Sequence, residues 1–288
     1  MNSPVFLPHR IATLADAETL EQASARHETA CGDGVMVWRR WGSGPPVVML
    51  HGGSGSWNHW VRNIAALVRA GRSVWIPDLP GFGDSARPPG GGDADALPAP
   101  LEAALQALLG DTPVDLVGFS FGSMVAAFLA QQWPGRVRRL VISGAPALGI
   151  NPQWKLVLKP WVHLPPGAER DAALRENLAR LMIFKPASND ALALALHAEN
   201  LPRDRMTLRR LSKTDILART LPLLDCPVYG IWGEQDALYR GVQPELTPVL
   251  ARAPQFKSLV LVPDAGHWVQ FECAEAFDRA LAAALGAA

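Results

Sequence analysis

The sequence predicts an α/β fold in which a mostly parallel central sheet is flanked by helices and interrupted by one helical insertion. Two observations lead to this prediction. Short apolar runs of strand length alternate with longer amphipathic stretches, which is typical of a parallel sheet built from β-α units. This alternation stops between residues 146 and 221, where apolar residues recur at helical spacing among polar ones.

The order of these runs assigns the individual elements. Strands are predicted at residues 35–41, 47–50, 73–76, 114–117, 138–143, 227–232 and 258–262. Helices are predicted at residues 15–26, 57–70, 101–109 and 124–132, with an exposed Pro/Gly-rich loop at 87–100. We therefore expect an N-terminal extension at 1–32, a core formed by 33–145 and 222–288, and a helical insertion at 146–221.

The pentapeptide Gly118-Phe119-Ser120-Phe121-Gly122 lies between a predicted strand and a predicted helix. A G-x-S-x-G sequence in that context forms a sharp turn that exposes a nucleophilic serine. Glycines on both sides allow the two backbones to pass closely while the serine adopts a strained conformation. With 25 glycines in the chain, the pentapeptide alone would also fit a plain tight turn. The flanking strand and helix favour Ser120 as a nucleophile.

A serine hydroxyl is a poor nucleophile at neutral pH, so Ser120 needs a base and a carboxylate that orients the base. Asp236 follows the predicted strand at 227–232, and His267 follows the one at 258–262. Since polar groups at the carboxyl ends of parallel strands meet at one edge of the sheet, we predict a triad of Ser120, His267 and Asp236. Glu234 is the alternative acid.

An oxyanion hole requires backbone N–H groups aimed at the developing negative charge. The segment His51-Gly52-Gly53-Ser54-Gly55 follows the predicted strand at 47–50. We predict that the N–H of Gly53 acts together with that of Phe121, the residue after the nucleophile. A flexible surface turn is the alternative interpretation of this segment.

Together these stretches resemble the α/β-hydrolase fold family over residues 33–286. The sequence Asp-Leu-Pro-Gly-Phe-Gly-Asp-Ser at 78–85 is similar to a turn that recurs in that family, which implies structural roles for Asp78 and Asp84. Members that dehalogenate alkanes or open epoxides carry an aspartate at the elbow. Ser120 therefore argues against both activities and for a serine hydrolase.

The resemblance also implies that residues 146–221 form a lid over the active site and supply much of its pocket. Candidate pocket residues are His51, Ser54, Trp57, Phe119, Trp154, Trp161 and Trp268. Six arginines of the insertion fit a solvated face, although one of them could bind a substrate carboxylate. They are Arg175, Arg180, Arg203, Arg205, Arg209 and Arg210.

For the substrate, a small-molecule carboxylic ester or lactone is the first prediction. The segments 266–272 and 57–59 are also similar to hydrolases that cleave carbon–carbon bonds in meta-cleavage products of aromatic rings. Those enzymes usually have S-M-G-G at the elbow, where this chain has Ser-Phe-Gly-Ser, and a proline in the oxyanion loop that this chain lacks. Carbon–carbon hydrolysis is therefore the second prediction. Acyl transfer to an acceptor other than water and non-catalytic binding of a small ligand are further alternatives.

Composition sets the remaining expectations. The 288 residues carry 27 basic and 27 acidic side chains, which predicts a small-molecule substrate rather than nucleic acid or a membrane as partner. No signal peptide or membrane span is recognised, so a cytoplasmic location is expected. Cys31, Cys226 and Cys273 are expected to be free thiols, and no cofactor or metal is expected. The oligomeric state is left open between monomer and dimer.

Overall fold

A computed structural model describes residues 7–8, 10–150, 155–206 and 208–286. Its eight strands form one sheet in the order β1-β2-β4-β3-β5-β6-β7-β8. They are β1 (Ala25–Cys31), β2 (Gly34–Trp41), β3 (Pro46–Leu50), β4 (Ser73–Pro77), β5 (Val114–Phe119), β6 (Val137–Ser143), β7 (Val228–Gly233) and β8 (Phe256–Val262). Strand β2 is antiparallel to β1 and β4, and every other neighbouring pair is parallel. The predicted fold class is confirmed.

Helices lie on both faces of this sheet. They are α1 (Leu14–Gln22), α2 (Ile64–Arg69), α3 (Pro98–Leu109), α4 (Phe121–Gln132), α5 (Ala168–Asn177), α6 (Ala191–Asn200), α7 (Ile216–Thr220), α8 (Leu246–Leu250), α9 (Val269–Glu272) and α10 (Ala274–Leu285). Val48 and Leu50 of β3 pack in a hydrophobic cluster with α3 and α4, whereas Val47 and Met49 pack in a second one with α2 and α10. Because side chains alternate along a strand, β3 is buried on both faces of the sheet.

The structure differs from the prediction at the N-terminal end. Residues 15–26 were predicted as one helix within an extension at 1–32, but α1 ends at Gln22 and residues 25–31 form strand β1. This strand pairs with β2 from Ala25 opposite Arg40 to Cys31 opposite Gly34. It is an edge strand whose side chains are mostly exposed, so its sequence lacks the apolar alternation that would identify a strand.

Between β6 and β7 the chain forms the predicted helical insertion. Helices α5, α6 and α7 lie there, together with a π-helical turn at Leu178–Met182. The described residues of this segment contain no strand. Met206 of the insertion packs so close to Gly81 that a Cβ at position 81 would lie 2.5 Å from its Cγ. The insertion is therefore packed onto the loop that follows β4.

Three observations concern the membrane, metal and cysteine expectations. In the part of the chain that the structure describes, no helix is long and apolar enough to cross a membrane. The described residues likewise hold no group of three or more His, Cys, Asp or Glu side chains arranged for a metal ion. Cys31, Cys226 and Cys273 are free thiols.

Candidate active site

The structure brings Ser120, His267 and Asp236 into one hydrogen-bonded chain. His267 Nε2 lies 3.0 Å from Ser120 Oγ, and His267 Nδ1 lies 2.9 Å from Asp236 Oδ2. The second carboxylate oxygen of Asp236 accepts the backbone N–H of Leu238 at 2.9 Å, which fixes the carboxylate. Each residue follows the carboxyl end of a different strand, β5, β7 or β8. We call these three residues the triad.

Ser120 occupies the turn between β5 and α4 with φ +50° and ψ −115°. A non-glycine residue rarely adopts such a conformation, and the neighbouring packing holds it there. A Cβ at Gly118 would lie 2.5 Å from Ser123 Cα, and a Cβ at Gly122 would lie 2.5 Å from the carbonyl oxygens of Leu50 and His51. The two glycines therefore allow α4 to pack directly against β5 and the end of β3.

Gly122→Ala is expected to lower the free energy of unfolding by about 1–3 kcal/mol, because the added methyl group overlaps backbone atoms that cannot move independently. The figure is a net loss, because the overlap costs more than the about 1 kcal/mol that the better helix propensity of alanine contributes. Urea unfolding measures it. The matched control is Gly90→Ala, where the new methyl group meets nothing within 4 Å. A loss at Gly122 no larger than at Gly90 would contradict the packing argument.

The alternative acid, Glu234, does not take part in the triad. Its backbone N–H donates to Val262 O at 2.9 Å, and among the described residues no hydrogen bond joins its carboxylate to His267. Asp236, by contrast, is fully buried beside the imidazole. The geometry therefore selects Asp236 as the partner of His267.

The loops that carry the acid and the base are in close contact. A Cβ at Gly144 would lie 2.9 Å from His267 Cε1, and a Cβ at Gly233 would lie 2.0 Å from the carbonyl oxygen of Gly266. Burial, and to a lesser extent the charge of Asp236, raise the pKa of Tyr239 well above 10, so its hydroxyl stays protonated and donates to the Ala145 carbonyl. These contacts fix the imidazole relative to the sheet.

The two predicted oxyanion donors lie beside the nucleophile. Phe121 is the first residue of α4, so its N–H has no acceptor within the helix and lies at the positive end of the helix dipole. The Gly53 N–H has no hydrogen-bond acceptor among the described residues. A Cβ at Gly52 would lie 3.2 Å from Ser120 Cβ, so this loop reaches the nucleophile. Their role as oxyanion donors stays a prediction.

A cavity of about 410 Å³ opens at Ser120 and His267. Ser54, Phe119 and Trp161 line it, as their assignment to the pocket predicted. The other apolar walls come mainly from the insertion and include Leu156, Leu158, Leu181, Met182 and Leu201. Its size falls in the range of small-molecule sites.

The assignment of His51 to the pocket was wrong, because this residue has a structural role. Its Nε2 accepts the N–H of Leu79 at 2.9 Å, and its Nδ1 lies 2.8 Å from the carbonyl oxygen of Gly52. These contacts connect the loop after β3 to the loop after β4. Complete burial lowers the pKa of His51 to about 4, so the ring is neutral at physiological pH.

Trp57 and Trp268 do not line the cavity either. The Trp57 ring packs against Trp41, with centroids 5.5 Å apart, and beneath the guanidinium of Arg39 at 5.3 Å. The Trp268 ring stacks on Phe271 at 4.2 Å, and its indole N–H donates to a backbone oxygen. Both rings belong to the second hydrophobic cluster. Trp154, the remaining candidate, lies outside the described residues.

Arg209 is the member of the six predicted arginines that lines the cavity. Its Nε donates to Met206 O at 3.0 Å, and its Nη2 contacts the carboxylate of Asp204 and the hydroxyl of Ser54. A Cβ at Gly53 would lie 2.5 Å from Nη1, for which the described residues offer no acceptor. Burial lowers the pKa of Arg209 to about 10, so it remains a cation beside the oxyanion loop.

His59 and His197 also line the cavity, although neither was predicted as a pocket residue. His59 belongs to the segment 57–59, which carries the family likeness, and His197 lies among alanines and leucines of α6. Neither has a sequence neighbour that indicates a site. The contact between their segments depends on residues far apart in the chain, such as Asn58 and Asn200.

Comparison with known proteins agrees with the fold described above. A family model described as the alpha/beta hydrolase fold matches residues 45–184. A 2-hydroxy-6-oxo-6-phenylhexa-2,4-dienoate hydrolase from Burkholderia cepacia is 30% identical over 260 residues, which cover 83% of this chain and 86% of the relative. A dihydrolipoyllysine-residue acetyltransferase component of an acetoin cleaving system from Pseudomonas putida is 31% identical over 280 residues, which cover 92% of this chain and 70% of that relative.

Among solved structures, a meta-cleavage product hydrolase from Pseudomonas fluorescens superimposes with a TM-score of 0.72. The match covers 90% of this chain and 97% of that one, at 21% sequence identity. At this identity the likeness concerns the fold alone.

Proposed function

The chain belongs to the α/β-hydrolase family, and from that premise we propose that it is a serine hydrolase of small-molecule carboxylic esters or lactones. One observation carries the proposal. The serine, imidazole and carboxylate form an unbroken hydrogen-bonded chain, with distances of 3.0 and 2.9 Å, at the floor of a cavity. This arrangement fits acyl transfer through a covalent intermediate.

In the first step, Ser120 Oγ attacks the substrate carbonyl carbon while His267 Nε2 takes the hydroxyl proton. Asp236 accepts the Nδ1–H of the imidazolium and stabilises its charge. The carbonyl oxygen becomes an oxyanion, which the N–H groups of Gly53 and Phe121 stabilise. When the bond to the leaving alcohol breaks, His267 returns the proton to that alcohol, and Ser120 remains acylated.

In the second step, water takes the place of the alcohol. His267 removes a proton from water as its oxygen attacks the acyl carbon, and the same oxyanion forms again. Collapse breaks the bond to Ser120 Oγ, which recovers its proton from His267, and the carboxylic acid leaves. Leu181, Met182 and Trp161 form an apolar wall of the cavity, and a lid favours such chemistry by excluding bulk water.

Arg209 narrows the substrate class. Its guanidinium lies beside the oxyanion loop and lines the cavity, and Nη1 has no acceptor among the described residues. A guanidinium with a free edge binds carboxylates with charge-assisted hydrogen bonds. We therefore expect substrates that carry a carboxylate in addition to the scissile carbonyl group.

Arg209→Gln is expected to lower kcat/KM about 10- to 100-fold for 4-nitrophenyl hydrogen succinate, because a hydrogen bond to a charged group is lost. For 4-nitrophenyl butanoate, which has no carboxylate, the loss should be several-fold smaller. Steady-state hydrolysis at 400 nm measures both. Arg210→Gln is the control, since Arg210 is exposed and absent from the cavity wall. Equal losses on the two esters in Arg209→Gln would contradict a carboxylate-binding role.

Carbon–carbon hydrolysis is the second candidate, and a specific observation favours it. The Burkholderia relative is named for a 6-oxo-dienoate, which carries a carboxylate and a ketone, and Arg209 at the cavity wall of this chain could bind such a carboxylate. The same triad would attack the ketone carbonyl. To distinguish the candidates, wild type and Ser120→Ala are assayed side by side on an ester, a lactone and a 2-hydroxy-6-oxo-dienoate. The proposed ester or lactone activity fails if only the dienoate is cleaved.

A further inference from the structure

Two histidines outside the triad line the cavity. His59 comes from the 3-10 turn at Trp57–Trp60, and His197 comes from α6 in the insertion. The triad mechanism uses neither of them. A polar side chain that is kept at a largely apolar cavity wall requires a reason, because burying it without a partner is unfavourable.

The hydrogen bonds of His59 fix which of its nitrogens carries a proton. The Gly52 N–H donates to His59 Nδ1 at 3.3 Å, so Nδ1 is the acceptor. Burial, with smaller contributions from His51 and His197, lowers the pKa of His59 well below 6.5. The neutral ring therefore carries its proton on Nε2, for which no described residue provides an acceptor. His59 Nε2 is thus a hydrogen-bond donor without an acceptor among the residues that the structure describes.

The imidazole of His197 makes no hydrogen bond with any described residue, although the His197 backbone oxygen accepts the N–H of Leu201. Burial lowers its pKa to about 4, so its ring is neutral and holds one N–H donor and one acceptor nitrogen. Both are left for whatever occupies the cavity. The His197 side chain is only partly buried and lines the cavity, so a ligand in the cavity can reach it.

The segments that carry these histidines are fixed to each other. The side-chain amides of Asn58 and Asn200 exchange two hydrogen bonds, at 3.2 and 2.7 Å. Arg62 forms an ion pair of 3.1 Å with Asp190, whose carboxylate also caps α6 by accepting the N–H of Ala193 at 2.8 Å. The two imidazoles are therefore held in place before any ligand binds, which is the property of a recognition site.

The pair also lies close to the triad. The rings of His59 and Phe119 are 5.6 Å apart between centroids, and those of Phe119 and His267 are 5.0 Å apart. One aromatic ring thus separates His59 from the catalytic imidazole. A substrate attached to Ser120 can extend to both histidines within the same cavity.

We propose that His59 and His197 form a subsite that recognises a neutral hydroxyl or keto oxygen of the substrate, separate from the scissile carbonyl. This inference rests on the proposed hydrolase function. A hydroxyl oxygen accepts from one imidazole and donates to the other, whereas a keto oxygen accepts from both. Because neither ring contributes a charge, the subsite differs from the carboxylate site at Arg209.

The test compares esters that differ only in one oxygen. 4-Nitrophenyl butanoate is measured against its 3-hydroxy and 3-oxo analogues, and propyl butanoate against 2-hydroxyethyl butanoate, on wild type, His197→Leu and His163→Leu. His163 is exposed and absent from the cavity wall, so His163→Leu is the matched control. His197 carries the test because substitutions of His59 would also disturb Gly52.

In wild type, at least one oxygenated ester is expected to exceed its plain analogue about tenfold or more in kcat/KM. His197→Leu should reduce this preference about 10- to 100-fold, and His163→Leu should retain it. If His197→Leu does not fold, His197→Ala gives the same comparison without added bulk. Absence of a preference in wild type, or an unchanged preference without the His197 imidazole, overturns the subsite. If wild type hydrolyses none of these esters and Ser120 does not react with a fluorophosphonate, the hydrolase function itself fails.

Discussion

Replacing Ser120 with alanine is expected to lower kcat for ester hydrolysis about 10⁴- to 10⁶-fold, because the mechanism loses its nucleophile while the cavity and the N–H donors remain. The fold should be unaffected. Among the described residues, the Ser120 hydroxyl contacts only His267 Nε2, so its removal breaks no structural hydrogen bond. Steady-state kinetics and a thermal melt on the same preparation measure both effects.

Ser258→Ala is the matched control, since Ser258 is an exposed serine on the edge strand β8. It should retain wild-type kinetics. Hydrolysis by Ser120→Ala within tenfold of wild type would mean that another group or a water molecule attacks the substrate. A melting temperature that falls by more than a few degrees would instead assign Ser120 a structural role.

Asp236→Asn is expected to lower kcat about 10³- to 10⁴-fold with little effect on KM. An amide in place of the carboxylate no longer stabilises the imidazolium, and it favours the wrong tautomer of His267. The effect should be large here because Asp236 is fully buried and no solvent replaces its interaction with Nδ1. The comparison of kcat and KM separates this loss from a loss of binding.

Two nearby acids serve as controls for this substitution. Asp264 precedes His267 on the same loop, and its φ of +54° is one that asparagine tolerates. Glu234 is two residues before Asp236. Asp264→Asn and Glu234→Gln should each stay within a few-fold of wild-type kcat. If either loses more activity than Asp236→Asn, that residue is the orienting acid and the triad must be reassigned.

The arrangement of the triad could be predicted from sequence because the fold imposes it. Ser120, Asp236 and His267 each follow an apolar run, and parallel strands bring their carboxyl ends to one edge of the sheet. The elbow could be predicted for a similar reason. Glycines at 118 and 122 are required because β5 turns directly into α4, which packs against it. These are local patterns with a geometric consequence.

Other features leave no local pattern. Strand β1 is exposed on an edge and gains its stability from pairing with β2, so its own residues do not indicate a strand. Trp57 and Trp268 could not be distinguished from pocket residues, because an aromatic ring in the core and one at a cavity wall have the same sequence signal. Only their packing against Trp41 and Phe271 shows that these two rings belong to the core.

The polar wall of the cavity depends on contacts between distant residues. The six candidate arginines of the insertion look alike in sequence, and only folding places Arg209 beside Gly53. His59 and His197 meet the same cavity because Asn58 and Asn200, 142 residues apart, hydrogen-bond to each other. The substrate selection that we propose therefore depends on tertiary packing of the insertion.

Labelling with a fluorophosphonate, read by intact mass and peptide mapping, tests the central claim most directly. A fluorophosphonate reacts with a serine that a neighbouring base activates. The triad predicts one adduct per chain, located on Ser120 and absent from Ser120→Ala. A folded wild-type protein that stays unlabelled, or an adduct that persists in Ser120→Ala, would contradict an activated nucleophile at this position.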